Sequence, residues 1–147
     1  MTRVLPPIYF LLAVALTIAM HFLVPLAVPI PFLWRFVGLL PITAGVVLNI
    51  AADRQFKRLG TTVKPLHRSS ALATDGVFRW SRNPMYLGMV FIVAGIVLLE
   101  GSISPWIVVV ALAITLDRVF VVPEEKMLKE TFGDAFEQYS QRVRRWL

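Results

Sequence analysis

An all-α integral membrane bundle of four transmembrane helices, with short cytoplasmic C-terminal helices, is the fold this sequence predicts, on three observations. Of its 147 residues, 57% are hydrophobic and 16% charged, and the mean hydropathy of +0.71 is too apolar for an ordinary soluble domain. Residues 4 to 34 contain no Asp, Glu, Lys or Arg, a tract longer than the ~20 apolar residues that cross a bilayer as a helix. Lys and Arg are unevenly placed: seven fall in residues 53 to 84 and five in 123 to 147, whereas the two outer turns hold only Arg35.

The first span is placed at residues 8 to 28, closed by the proline-rich "VPLAVPIP". Arg3 is a thin basic leader and no small-x-small site follows, so the tract is read as a span and not as a cleaved signal peptide. The second span is placed at residues 33 to 52, with Gly38 and Gly45 seven apart on one face, a spacing that lets two helices approach closely. This helix is expected to continue past Asp53 to Leu59 and to stop at Gly60, after which "TTVKPL" reads as extended and "ATDGVF" as containing a turn centred on Asp75 and Gly76. The third span covers residues 84 to 100, with Asn83 as a side-chain cap and Pro84 at the first helical position. The fourth covers 105 to 122, after Ser104 as its cap.

Beyond it "PEEKMLKETFG" reads as a separate helix that opens with Pro123, Glu124 and Glu125 and ends at Gly133. "DAFEQYSQRVRRWL" reads as another, with Asp134 and Glu137 resembling a capping box. Its apolar stripe of Phe136, Tyr139 and Val143 is suited to lie on the membrane surface or to close over a site. Residues 1 to 147 thus form one domain, with a cytoplasmic loop at 53 to 83 and cytoplasmic C-terminal helices at 123 to 147. Both termini are expected on the cytoplasmic side of a prokaryotic cell membrane. The net charge of +6 and pI near 10.3 describe a basic face apposed to anionic lipid headgroups better than a surface for nucleic acid. With no cysteine, the chain forms no disulfide and offers no thiolate ligand or nucleophile.

The stretch "GVFRWSRNPMYLG", residues 76 to 88, places Arg79 and Arg82 beside the free N–H groups that open the third helix, a small anion-seeking locus. The plainer reading is that these arginines follow the positive-inside bias and that Asn83 and Pro84 only start a helix. Asp117 and Arg118 lie within the fourth span toward its cytoplasmic end, so each is expected to face the bundle and find a partner, a structural ion pair being the simplest form. His21 is expected to be packed and hydrogen-bonded. Asn49 either bridges helices or borders a pocket, and Trp80 suits the interfacial belt.

The blocks "TTVKP", "SSALATDGVFRWSRNPMYLG" and "PEEKMLKETFGDAFEQYSQRVRRWL", in that order, resemble the isoprenylcysteine carboxyl methyltransferase family, and the related phospholipid methyltransferases share the second and third. The resemblance covers roughly residues 49 to 147. Its core is Arg-(His or Asn)-Pro-x-Tyr-x-Gly at the start of a membrane helix, followed about forty residues on by paired glutamates and Phe-Gly-x-x-(Tyr or Phe)-x-x-Tyr. It implies S-adenosylmethionine as cofactor and a lipid-borne methyl acceptor reached from the bilayer. Cofactor contacts would then fall on Ser70, Ala71, Leu72, Ala73, Phe78, Asn83, Pro84, Met85 and Tyr86. Glu124, with Glu125, would face the reacting end. Three departures stand out: Asn83 replaces the usual histidine, Phe78 replaces a frequent tyrosine, and Phe120 occupies the place of the arginine that holds the substrate carboxylate. Arg118 is the nearest replacement for that arginine, which makes Arg118 and Glu124 the catalytic candidates and Arg118, Glu124 and Glu125 the substrate-binding ones.

The chemistry implied needs neither a metal nor a covalent intermediate. A carboxylate acceptor needs no strong base, whereas an amine acceptor must lose a proton, for which Glu124 or Glu125 is available. Phe78, Trp80 and Tyr86 are candidates for the lining of an adenosine pocket, where a ring facing the sulfonium adds a cation–π attraction. The sequence reading is an S-adenosylmethionine-dependent carboxyl methyltransferase on a lipid-anchored acceptor among membrane lipids. N-methylation of an aminophospholipid is the alternative within the enzyme class, and a non-enzymatic four-helix transporter or interaction protein the alternative outside it. Glu124 lies seven residues beyond Asp117, on roughly the same helix face, and is expected over it provided that Pro123 does not reorient the turn.

Overall fold

A computed structural model of the chain describes residues 5–24, 26–60 and 71–147, and the regular elements among them are all helical. They are α1 (Pro6–Leu23), α2 (Phe32–Arg35), α3 (Leu39–Arg58), α4 (Pro84–Glu100), α5 (Trp106–Leu116), α6 (Val122–Phe132) and α7 (Asp134–Arg142). A 3-10 turn at Phe36–Gly38 joins α2 to α3, and a π turn at Asp117–Val121 joins α5 to α6. Pro6–Leu23, Phe32–Arg58 and Trp106–Phe132 are each long and apolar enough to cross a membrane. The third expected span, α4, is equally apolar but has 17 residues, about 26 Å of rise against a hydrocarbon core of ~30 Å.

Proline and glycine set most of the boundaries. α1 stops at Leu23, five residues short of the expected end, because Val24 precedes Pro25 and is pushed out of the helical region, with φ −137°. α3 runs on to Arg58, and Gly60 follows at φ +60° as expected. α4 ends on Gly101 at φ +74°, whose N–H donates to Val97 O at 3.0 Å, so a left-handed glycine closes the helix. The expected extended run "TTVKPL" lies outside the described residues.

Three capping expectations are corrected. The Asn83 side chain makes no cap bond to α4, since its Nδ2 donates instead to Arg145 O at 3.1 Å. Ser104 does not cap α5: Pro105 already has helical angles, and the buried Ser104 hydroxyl has no hydrogen-bond partner among the described residues. The Asp134–Glu137 box is absent because α7 begins at Asp134 itself. Gly133 O accepts the Glu137 N–H at 3.1 Å, and the Glu137 carboxylate pairs with Lys129 Nζ at 2.6 Å.

α4 is the central helix, packed against α1, α3 and α5. Its contact with α3 is made backbone to backbone, with Gly38 against Gly95 and Gly45 against Gly88; a Cβ at Gly38 or Gly45 would collide with the carbonyl opposite. The seven-residue glycine spacing therefore does what it predicted. One apolar core, built around Val93, Val97, Leu112, Leu116 and Phe120, lies between α1, α4 and α5. A second, of Ala52, Ala73, Phe78, Phe136, Tyr139 and Val143, lies where α3, the turn before α4 and α7 converge. His21 is hydrogen-bonded to Ser102 Oγ at 2.5 Å, and Asn49 donates to Gly45 O at 2.9 Å while packing on Gly88.

Candidate functional site

The fourth expected span does not stop at Val122. Pro123 has no N–H to donate, and the chain accommodates it by loosening the preceding turn: Val122 N–H bonds Asp117 O, an i to i+5 step, and Trp106–Phe132 continues as one helix. The wider turn holds one extra residue and rotates everything after it by about 100° relative to an uninterrupted α-helix. Glu125, eight residues on, therefore comes over Asp117, where plain helical spacing predicted Glu124.

Two acidic positions follow from that shift. Glu124 faces α4, and Tyr86 donates its hydroxyl hydrogen to Glu124 Oε1 at 2.8 Å. The Tyr86 ring stacks on Phe120 at 6.0 Å between centroids, and Phe120 meets Tyr9 edge-on at 5.6 Å on its way to full burial. Glu125 instead receives two arginines. Arg145 donates to Glu125 Oε2 from Nε at 3.0 Å and from Nη2 at 2.7 Å, and Arg82 Nη2 lies 3.1 Å from Oε1. Hydrogen bonding to Glu125 holds Arg145 above its already high ordinary value.

Asp117 completes this cluster. Its Oδ1 accepts the Trp146 indole N–H at 3.1 Å and lies 3.6 Å from Arg145 Nη1. Arg118, expected at the substrate end, is 77% exposed on the outside of the helix and 3.8 Å from Asp117 Oδ2. The structure does not bring it to the glutamates. The cations at the carboxylates are Arg82 and Arg145, whose side chains are 15% and 38% exposed. Arg79 is turned away to Asp75 at 2.9 Å.

Arg145 and Trp146 belong to a tail, residues 143–147, that leaves α7 in extended conformation and runs back across the start of α4. Arg82 N–H donates to Arg144 O at 3.0 Å, and Arg145 O accepts from Ser81 Oγ at 3.3 Å as well as from Asn83 Nδ2. Asn83 N–H is taken by Ser81 Oγ at 3.1 Å. The basic "RRW" ending was the visible signal for this tail, but no spacing rule connects residue 145 with residues 117 and 125.

The residues assigned to the cofactor by resemblance divide into two neighbouring groups. Leu72, Ala73, Phe78 and Met85 share the second apolar core with Phe56, whose ring meets Phe78 at 5.2 Å. Asn83, Pro84 and Tyr86 are buried at the first turn of α4, next to Glu124 and the tail. Ala71 is half-buried just before Leu72, and Ser70 lies outside the described residues. The stripe of Phe136, Tyr139 and Val143 closes over this region and is not spread on the surface. Tyr139 donates to Phe78 O at 2.7 Å, and burial pushes its phenol up, with Glu125 adding to the effect and Arg82 opposing it. Trp80 is 78% exposed, as a belt residue would be, and does not line the cluster.

Comparison with known proteins adds three findings. The profile of the phospholipid methyltransferase family matches residues 33–135. An uncharacterized protein of Haemophilus influenzae is 33% identical over 63 residues, which is 43% of this chain and all of that protein. No solved structure matches the chain.

Proposed function

Because this chain belongs to the phospholipid methyltransferase family, we propose that it transfers a methyl group from S-adenosylmethionine to the amine of a lipid-borne acceptor at the membrane interface. Bound S-adenosylmethionine supplies a methyl group on a sulfonium, already activated toward displacement. The residues around the start of α4 fit such a group. The apolar cluster of Leu72, Ala73, Phe78 and Met85 suits an adenosine, and the first turn of α4, uncapped by any side chain, offers N–H groups to a carboxylate.

The protein's task is then alignment, exclusion of water and handling of one proton. Alignment alone can lower the barrier by ~7 to 11 kcal/mol. Tyr86 and Glu124 stand at the junction of the two groups of cofactor candidates. An ammonium headgroup must lose a proton before its nitrogen can form the new N–C bond, and Glu124, oriented by the Tyr86 hydroxyl, is the carboxylate set to take it.

The observation that carries the amine over the carboxylate is the commitment of the arginines. A carboxylate acceptor needs a fixed cation of its own. Arg82 and Arg145 are engaged by Glu125 and Asp117, Arg118 points outward, and Phe120 is locked between two tyrosine rings. On this reading, residues 53 to 83 and both termini face the cytoplasm, where the charge bias puts them. The test offers purified protein a methyl-labelled cofactor with either prenylcysteine or an aminophospholipid. Label that survives mild base, as an amine's does, supports the proposal; label released as methanol marks an ester and overturns it in favour of the carboxyl reaction. No transfer to either acceptor, with no binding of S-adenosylhomocysteine, would return the chain to the non-enzymatic class.

A further inference from the structure

Asp117 and Glu125 sit on opposite sides of the π turn, and one side chain from the end of the chain holds both. Arg145 reaches Glu125 Oε2 at 2.7 Å and Asp117 Oδ1 at 3.6 Å, and Trp146 adds its indole N–H to the same Asp117 oxygen at 3.1 Å. The two carboxylates face one guanidinium only because the π turn contains its extra residue. In an uninterrupted α-helix, Asp117 aligns with the residue seven further on, which is Glu124; with the wider turn it aligns with the residue eight further on, which is Glu125.

Moving that residue back into α register rotates α6 by about 100°. Glu124 then takes the place of Glu125 beside Arg145, and Glu125 takes the exposed place of Lys126. Tyr86 loses the carboxylate it now bonds at 2.8 Å. A π turn is a local departure from the lower-energy α pattern; Pro123, which lacks an N–H, favours a disturbance here but could equally break or kink the helix, and contacts across the turn hold the register observed. Contacts across this one come from Arg145 and Trp146 on the side of Asp117 and Glu125, with Arg82 reinforcing Glu125 from the loop before α4, and from Tyr86 on the other side, stacked on Phe120 and bonded to Glu124.

We propose that Arg145 and Trp146 are positioning residues that lock the π register of Asp117–Val121 and thereby aim Glu124 at Tyr86. The extended tail is tied to Ser81, Arg82 and Asn83 through the Arg144 and Arg145 carbonyls, so the lock couples the motif at the start of α4 to the direction of the glutamates. The role given to Glu124 rests on the methyl-transfer reading; the register lock itself does not.

The chain contains no cysteine, so single introduced cysteines report on α6 without background. Leu128 packs against the second apolar core and Thr131 is exposed. After a one-residue slip, position 128 occupies the exposed place of Lys129, and position 131 the packed place of Phe132. Leu128→Cys and Thr131→Cys are therefore labelled with maleimide in the full-length purified protein, with and without Arg145→Gln. The expected result is reciprocal: labelling at 128 accelerates by about tenfold while labelling at 131 slows, as an opened local equilibrium would give. Unchanged rates, or rates that rise together at both positions, overturn the lock, because general loosening exposes both. Trp146→Phe keeps the ring's bulk and removes only the donor to Asp117; it is expected to move both rates in the same two directions by a smaller factor, and no change in either also overturns the lock. It supplies the answer if Arg145→Gln does not fold. Methyl transfer is measured in parallel. Reciprocal labelling in a parent protein with no transferase activity would retain the lock and sink the functional reading, whereas an active parent with unaltered labelling would do the reverse.

Discussion

The Tyr86 hydroxyl donates a 2.8 Å hydrogen bond to Glu124 Oε1, joining the first turn of α4 to the first turn of α6. Tyr86→Phe keeps the stack on Phe120 and deletes only the donor. Leaving an acceptor short of its partner costs about 1 to 3 kcal/mol. Turnover is expected to fall roughly tenfold, which is about 1.4 kcal/mol of barrier, and the thermal midpoint to drop by a few degrees. Tyr86→Ala removes the ring as well and is expected to weaken S-adenosylmethionine binding, measured by calorimetry on the purified protein. Unaltered affinity in the alanine variant would return the motif to the role of a helix start.

Glu124 and Glu125 are expected to fail differently when each is changed to Gln. Glu124→Gln keeps shape and the Tyr86 contact but removes the basic oxygen, so turnover at saturating cofactor falls while stability holds. Glu125→Gln leaves Arg82 and Arg145 without their shared carboxylate, and breaking a largely buried pair costs up to about 3 kcal/mol. Its main effect is then a lower unfolding midpoint in detergent. Equal, small effects in both variants would leave only the attraction of two glutamates to the N-terminal end of a helix, worth about 0.3 to 1 kcal/mol each.

Arg118→Leu is expected to do little. With 77% of its side chain exposed and only a 3.8 Å approach to Asp117, it makes little contact within the protein that the substitution removes. Michaelis constants for cofactor and acceptor should stay within about twofold, well under 1 kcal/mol. A large rise in the acceptor constant alone would restore Arg118 to the substrate site and with it the carboxylate acceptor.

Alkaline pH should loosen the closure over the apolar cluster. Burial raises the Tyr139 phenol above its ordinary value of 10.0, so on passing that pH the unfolded chain loses the proton first. The unfolded state then binds fewer protons than the folded one, and stability falls as pH rises from 10.0 toward the raised folded value; below 10.0 this contribution is fully present. Denaturant unfolding on either side of 10.0 measures the slope. Tyr139→Phe should flatten it, while losing the bond to Phe78 O at a cost of about 1 kcal/mol. An unchanged slope in the phenylalanine variant would show that other groups set it.

Sequence by itself determined the helices, because their causes are local. The charge-free tract, the glycines at 38 and 45, Pro84, Gly60 and Gly133 act through chain geometry within a turn or two, and the helices they predict are present, with α1 shorter at its proline, the helix of Glu124 and Glu125 continuous with the fourth span, and the last helix ending at Arg142 instead of running through "VRRWL". The motif around Asn83 and Tyr86 and the paired glutamates were legible for the same reason, as a family pattern along the chain. Tertiary structure decided which glutamate faces which partner. Pro123 was visible, but that the chain widens ahead of it instead of breaking or kinking was not, and Arg145 and Trp146, far along the chain, hold Asp117 and Glu125 across the widened turn. It likewise sent the Asn83 amide to the tail instead of to its own helix and left Arg118 outside. A one-residue change of register turns a helix by about 100°, so the face each carboxylate presents is settled by whatever contact holds that register, and such contacts carry no signal in local spacing.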